Sequence, residues 1–261
     1  MSKERILITG ATSGFGAGTA IGLAKAGHKV IAAGETWQQV NSLRHEAEAA
    51  GVSLETIKLD LFSEIDIAHA ATYEVDILVL NAGVQETGSL IDIPLELVRK
   101  SFEVNVFAHL DLAQRIVPQM IKRKSGKVVW VSSQAGLYAP PFMGAYAATK
   151  HAIEAIASTM KFELNLFGIG VATINPGIFR TGYNETGAET HHQWDRQKDV
   201  LIPMPPAGPL LALQHDPQAM IDAMVESIPD RKGSYRTMLP EDAVVETKAA
   251  QALGWTQHAR P

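Results

Sequence analysis

Residues 9–16 read Thr-Gly-Ala-Thr-Ser-Gly-Phe-Gly, TGATSGFG. The stretch follows the apolar run Ile6-Leu7-Ile8 and passes directly into a helical pattern of small and apolar residues. A strand, a glycine-rich turn and a helix in immediate succession make an anion site. The first N–H groups of a helix lack intrahelical partners, the helix dipole favours negative charge there, and glycine lets the backbone approach a pyrophosphate. The spacing G-x-x-x-G-x-G differs from the commoner dinucleotide fingerprint and lacks the Gly-Lys-Ser/Thr ending of a phosphate-loop NTPase. Alone, the stretch also fits a tight turn that happens to be rich in glycine, so its surroundings decide its meaning.

Those surroundings alternate. Short β-branched runs at Arg5 to Thr9, Lys29 to Ala33, Leu54 to Lys58, Asp76 to Leu80, Lys127 to Val131 and Gly170 to Ile174 read as strands, with helical patterns between them. Near-continuous apolar strands such as Ile77-Leu78-Val79-Leu80 suit a parallel sheet covered by helices on both faces. The pattern predicts an α/β fold with a doubly wound, Rossmann-like parallel sheet, in one domain over residues 1–261. A long helix is expected from Leu95 to Lys124, with Asp92 and Pro94 as start signals and Pro118 as a kink or stop. Another is expected from Ala145 to about Phe167, stopped by Gly168. From Tyr183 to His215 the rhythm fails; four prolines and no strand pattern predict an irregular substrate loop or lid, with Tyr183, Trp194 and Met204 as its apolar members.

Composition narrows the function classes. With 46% hydrophobic residues in 261, the chain can bury a full core. A net charge of −5 from mixed signs speaks against nucleic acid as a partner, and the basic cluster Lys122-Arg123-Lys124 with Lys127 fits an exposed helix end and its turn. The absence of cysteine excludes disulfides, thiolate nucleophiles and Cys-based zinc sites. The apolar run after the charged N-terminus is too short for a signal peptide, and none reaches the roughly 18 residues of a membrane span, which predicts a cytoplasmic protein that does not meet a membrane. His191 and His192 are adjacent and cannot share a helix face, so they are expected to be loop residues, and no metal site is expected.

Three groups point to redox chemistry at the glycine turn. Glu35 ends the second strand nineteen residues after Gly16, where a carboxylate meets adenosine ribose hydroxyls and repels a 2′-phosphate. No basic residue stands beside it in the chain, which favours NAD over NADP; an ordinary exposed turn residue is the alternative. Tyr146 and Lys150 stand at i and i+4, on one helix face. A nearby ammonium, joined by an oxidised nicotinamide, favours phenolate and would make Tyr146 a usable base. Ser133, just past a strand, can bring its hydroxyl to the same sheet edge. Singly, this tyrosine and lysine also fit a packed phenol and a solvated ammonium.

Together these stretches resemble the short-chain dehydrogenase/reductase family from the first strand to about Thr181. TGATSGFG matches its cofactor loop, Asn81-Ala82-Gly83 its NAG motif, Asn105 its helix asparagine, and Ser133 with Tyr146-Ala147-Ala148-Thr149-Lys150 its serine and YxxxK. Asn175-Pro176-Gly177 matches the turn after the sixth strand. The resemblance implies Tyr146 as acid/base, Lys150 lowering its pKa and holding the nicotinamide ribose, Ser133 bonding the substrate oxygen, and Asn105 supporting a proton relay. It implies cofactor contacts from Gly10, Thr12, Ser13, Gly14, Phe15, Gly16, Glu35, Asp60, Leu61, Asn81, Ala82, Gly83, Pro176, Gly177 and Thr181. For Asp60 a helix-capping role, and for Asn81 a bridge between strands, remain open alternatives. Phe15 and Leu80 depart from commoner residues without touching the chemistry, and Ser13 stands where NADP-preferring members are often basic.

The expectation is an oxidoreductase moving hydride between NAD(H) and a small-molecule secondary alcohol or ketone. Alternatives are an NADP(H)-dependent carbonyl reductase of the same family and a dinucleotide sensor without turnover; an intact Ser133, Tyr146 and Lys150 argues against the sensor. The family resemblance also implies a homodimer or homotetramer. Ile153, Ile156, Met160, Phe162 and Leu166 predict that the helix carrying Tyr146 forms the interface.

Overall fold

The computed structural model describes residues 3–195 and 199–258. The six apolar runs become β1 (Arg5–Ile8), β2 (Lys29–Gly34), β3 (Glu55–Lys58), β4 (Ile77–Leu80), β5 (Gly126–Val131) and β6 (Ile169–Pro176), joined by β7 (Arg236–Leu239), for which no expectation was formed. All pair in parallel, in the order β3-β2-β1-β4-β5-β6-β7. The order reverses between β1 and β4, and such a switch opens a crevice at the carboxyl ends of the strands. β7 leaves no periodic signal in the sequence because its four residues, RTML, are half-buried at the sheet's edge and show no apolar run.

Period-two alternation explains why the strands are apolar throughout. Leu7, Leu78 and Trp130 point into one core, while Ile6, Ile8, Ile77 and Val79 point into the other. The first core is covered by α5 (Ala108–Arg123) and α6 (Gly144–Asn165), through Leu112, Ile116 and Ile153. The second is covered by α1 (Gly14–Lys25) and a later helix, Gln218–Ser227, through Ala20, Leu23, Met220 and Met224. The helix after β2, Trp37–Ala49, starts at a capping box in which Thr36 and Gln39 each satisfy the other's backbone N–H. Among the described residues no helix is long and apolar enough to cross a membrane.

Three expectations change. The long helix is a helical run, Leu95–Phe102, then a π-helical turn, Glu103–Phe107, then α5; Pro118 neither stops it nor marks its irregularity. Pro118 and Gln114, whose carbonyl loses a partner, both face solvent, where water replaces the missing bond. Asp92 does not cap that helix: its carboxylate accepts from the N–H groups of Leu201 and Ile202 at 3.0 and 2.9 Å, tying down the later lid segment. The lid is not irregular throughout. It holds α7 (Tyr183–Glu189), a 3-10 turn at Thr190–Gln193 and a short helix at Gly208–Leu211; its residues 196–198 lie outside the described residues. α7 and the turn are held by Thr87, which donates to the Gly187 carbonyl at 2.8 Å and whose N–H reaches Thr190 at 3.1 Å.

Candidate active site

The glycine turn sits at the carboxyl edge of the sheet, with Gly10 and Gly14 at φ +61° and +49°. Both conformations favour glycine. A Cβ at Gly16 would collide with the Gly10 carbonyl oxygen, so close chain approach requires the third glycine. Ser13 precedes α1 but makes no side-chain cap, and the first turn carries no acidic residue. The amides at this helix N-terminus are therefore left for an anion, and the turn fits a pyrophosphate. Thr181 stands over it, with its Cβ 3.2 Å from where a Gly14 Cβ would be. Phe15 packs edge-on against Phe179 at 5.4 Å, and Leu80 is buried.

Glu35 follows β2 directly and is exposed. Across the sheet, Lys58 pairs with Gly34, and its pKa is raised mainly by its hydrogen bond to Asp66 and more weakly by the charges of Asp66, Asp60 and Glu35. The chain shows no cation beside Glu35, but the fold brings one near it, held by Asp66 at 2.5 Å. Asp60 accepts from the Phe62 N–H, a local turn rather than a helix cap, and Leu61 is buried. Asn81 uses its side-chain amide to bridge, donating to the carbonyls of Thr9 and Gly10 at 2.9 and 3.0 Å and clamping the glycine turn to the end of β4.

Ser133, Tyr146 and Lys150 converge. Ser133 lies two residues past β5 in extended conformation, its hydroxyl accepting from the Ala135 N–H at 3.1 Å. Tyr146 enters from the first turn of α6, buried against Ala135, Ala147, Met143 and Tyr183, and the neighbouring Ser133 and Tyr183 hydroxyls each favour its ionised form. Lys150, 3% exposed, donates to the Val131 carbonyl at 2.9 Å and stands 5.6 Å from the centre of the Tyr146 ring. Burial lowers its pKa to about 8, against the opposing charge of Glu154. The expected lowering of the phenol by this lysine is not found: burial raises Tyr146 above its ordinary value, and the two neighbouring hydroxyls offset only part of that.

Asn105 lies behind this group, in the π-helical turn. Its amide donates to the Val84 carbonyl and the Thr149 hydroxyl at 2.9 and 3.0 Å, and its oxygen accepts from the Val84 N–H at 2.8 Å. Pro176 ends β6 and Gly177 follows it, beside Pro240 and Ala243. Asn175 joins Ser133 to the sheet edge: its amide donates to the Ser133 carbonyl and to Glu154, and Glu154 and the Asn175 oxygen both accept from Arg236.

Two groups at the site, Glu86 and His109, carry no signal in the sequence, and others named there take on different neighbours in the fold. Tyr183, named only as a lid residue, lies on Tyr146 with ring centres 6.1 Å apart. Glu86 is buried and paired with Lys100 at 3.2 Å. His109 follows Asn105 by one helical turn, but its partner Thr9 is too far along the chain for spacing to reveal. His191 and His192, expected in a loop with no further ligands at metal spacing, lie on the 3-10 turn and face Asp195 at 3.8 and 3.4 Å. Trp194 is buried against Ile93 and Ala145.

Compared with known proteins, residues 4–192 match the family model described as short chain dehydrogenase. An uncharacterized oxidoreductase of Myxococcus xanthus (strain DK1622) is 35% identical over 192 residues, spanning 71% of this chain and 76% of that protein. A short chain dehydrogenase/reductase from Burkholderia phymatum, solved in complex with NAD, aligns with a TM-score of 0.82 at 22% identity, covering 100% of this chain and 97% of that one. A short-chain dehydrogenase from Sphingobium yanoikuyae, solved with NADPH, aligns with a TM-score of 0.74 at 22% identity, covering 98% and 97%. At that identity these two structures speak for the fold alone.

Proposed function

Because the chain belongs to the short-chain dehydrogenase/reductase family, we propose that it interconverts a secondary alcohol and a ketone of a small molecule, with NAD(H) as the hydride partner. The convergence of Ser133, Tyr146 and Lys150 beside an uncapped glycine turn carries this reading. A nicotinamide dinucleotide, when bound, supplies the hydride acceptor for oxidation or the hydride donor for reduction. The turn from Gly10 to Gly16, with Thr12 and Ser13, would hold its pyrophosphate; Glu35 the adenosine ribose; Asp60 and Leu61 the adenine. Asn81, Ala82, Gly83 and Lys150 would face the nicotinamide ribose, and Pro176, Gly177 and Thr181 the nicotinamide amide.

Tyr146 takes the alcohol's hydroxyl proton in oxidation and returns it in reduction. Ser133 donates a hydrogen bond to the reacting oxygen. Lys150, an ammonium below its pKa of about 8, stands 5.6 Å from the centre of the phenol ring, and an oxidised nicotinamide, when bound, would add positive charge there. That added charge would act against the burial that raises Tyr146 in the unliganded protein. The solved neighbours bind NAD in one case and NADPH in the other. NAD is favoured here because the Glu35 carboxylate repels a 2′-phosphate, while the nearby Lys58 ammonium is bonded to Asp66.

The test is a panel of secondary alcohols with NAD and with NADP, following cofactor reduction, on the wild type and on Tyr146→Phe. Reduction with NAD, lowered about 10²–10⁴-fold by the substitution, is the expected result. Equal turnover by the variant would remove Tyr146 from the reaction, and faster reduction of NADP than NAD would reverse the cofactor assignment.

A further inference from the structure

We propose that the Tyr183 hydroxyl is a positioning group for proton transfer: it donates a hydrogen bond to the Tyr146 phenolate and thereby makes Tyr146, of the two phenols, the one that ionises. The inference rests on the reading of Tyr146 as acid/base.

The geometry places the second phenol deliberately. Tyr183 is the first residue of α7 and follows Gly182, whose φ of +81° turns the chain back over the crevice. Its ring lies 6.1 Å from that of Tyr146 at 56°, and the two phenols pack in one cluster with Ala135, Met143 and Ala147. On its far side the hydroxyl reaches the turn after β4: a Cβ at Gly83 would stand 3.4 Å from it and 3.2 Å from the Asn105 side-chain oxygen. A side chain at 83 would crowd the Asn105 oxygen, while the Tyr183 hydroxyl lies at ordinary contact distance from this turn.

The groups facing the pair give the two phenols opposite tendencies. Tyr146 has Lys150 on its own helix, 5.6 Å from its ring, and the neutral hydroxyls of Ser133 and Tyr183. Glu154 lies behind Lys150, and His109 behind it is neutral, held near a pKa of about 4 by burial. Tyr183 instead feels the buried carboxylate of Glu86, whose partner is Lys100 on the long helix. Burial first, then Tyr146 and Glu86, hold Tyr183 well above an ordinary phenol. It therefore keeps its proton across the working range and remains a donor, while the Ser133 and Tyr183 hydroxyls beside Tyr146 favour that residue's charged form.

The experiment titrates phenolate by ultraviolet absorbance, with and without NAD, in the wild type, Tyr146→Phe, Tyr183→Phe and Tyr183→Gln, and records the pH profile of kcat/KM for alcohol oxidation. The ionisation missing from Tyr146→Phe should move up by about one to two pH units in Tyr183→Phe, since a hydrogen bond to a charged group is lost. The kcat/KM profile should move with it, and Tyr183→Gln, which keeps a donor, should return the midpoint towards the wild type. Midpoints unchanged in both Tyr183 variants would overturn the inference. A wild type that never reduces NAD with any alcohol would instead overturn the proposed function, while the absorbance titration would still decide whether the two phenols are coupled.

Discussion

His109, 1% exposed, joins segments that lie a hundred residues apart: one ring nitrogen is 3.0 Å from the Thr9 hydroxyl and the other 3.2 Å from the Asn105 carbonyl. Thr9 accepts from the N–H groups of Asn81 and Ala82 at 2.9 and 3.0 Å, so its own hydrogen goes to His109 Nε2, and Nδ1–H donates to Asn105. Every partner is satisfied by a neutral imidazole. Burial, with Lys150 adding to it, lowers the pKa to about 4, from an unfolded value near 6.5. Between those values the unfolded chain binds more protons than the folded one, so this contribution to stability rises with pH and is lost as pH falls. From pH 7 to pH 5 the loss amounts to about 2 kcal/mol. Urea unfolding at the two pH values, in the wild type and in His109→Gln, should show a steeper loss in the wild type by about that amount; equal losses would mean that His109 titrates normally.

At the scale of an element, the π-helical turn Glu103–Phe107 matters more than the proline that drew attention in the sequence. It carries Asn105 into the interior, fully buried, where three hydrogen bonds stitch the long helix to the Val84 backbone and to Thr149. Thr149 in turn donates to the Tyr146 carbonyl at 2.7 Å, so the start of α6 is held through the same asparagine. Asn105→Ala orphans buried groups at roughly 1–3 kcal/mol each, about 4 kcal/mol together. That corresponds to a fall in Tm of roughly 10 °C for a chain of this size, read by thermal unfolding. A Tm within a degree or so of the wild type would show that water replaces those bonds at little cost. The apolar periodicity of Leu95 to Lys124 identified a helix correctly, but periodicity cannot report one extra residue in a turn, because that is decided by what the carbonyls meet.

For the molecule as a whole, the expected subunit interface on α6 narrows to its C-terminal end. Ile153 is buried, and Ile156 and Met160 pack on the chain's own core, so three of the five apolar residues are satisfied within one subunit. Phe162 and Leu166 remain 72% and 83% exposed, with Phe167 beside them. Exposed apolar side chains grouped at one helix end favour burial against a partner. Light scattering at micromolar concentration should give a dimeric or tetrameric mass, reduced by the double substitution Phe162→Glu, Leu166→Glu. A monomeric wild type would rule the interface out, and an unchanged mass in the variant would move it elsewhere.

The chain alone was enough for the fold class, the six central strands, and the places along it of the glycine turn, Ser133, Tyr146 and Lys150, because those depend on short-range facts: periodicity, the backbone freedom of glycine, and i, i+4 spacing on a helix. β7 stayed hidden because its edge strand, RTML, carries no apolar run. The partners of these groups depend on folding. Whether Lys58 comes near Glu35, whether Tyr183 meets Tyr146, and whether His109 bridges Thr9 and Asn105 follow from strand order and helix docking across long stretches of chain. The phenol shows the difference most directly. Spacing puts a lysine beside Tyr146, but the depth to which α6 buries them both decides which way its pKa moves.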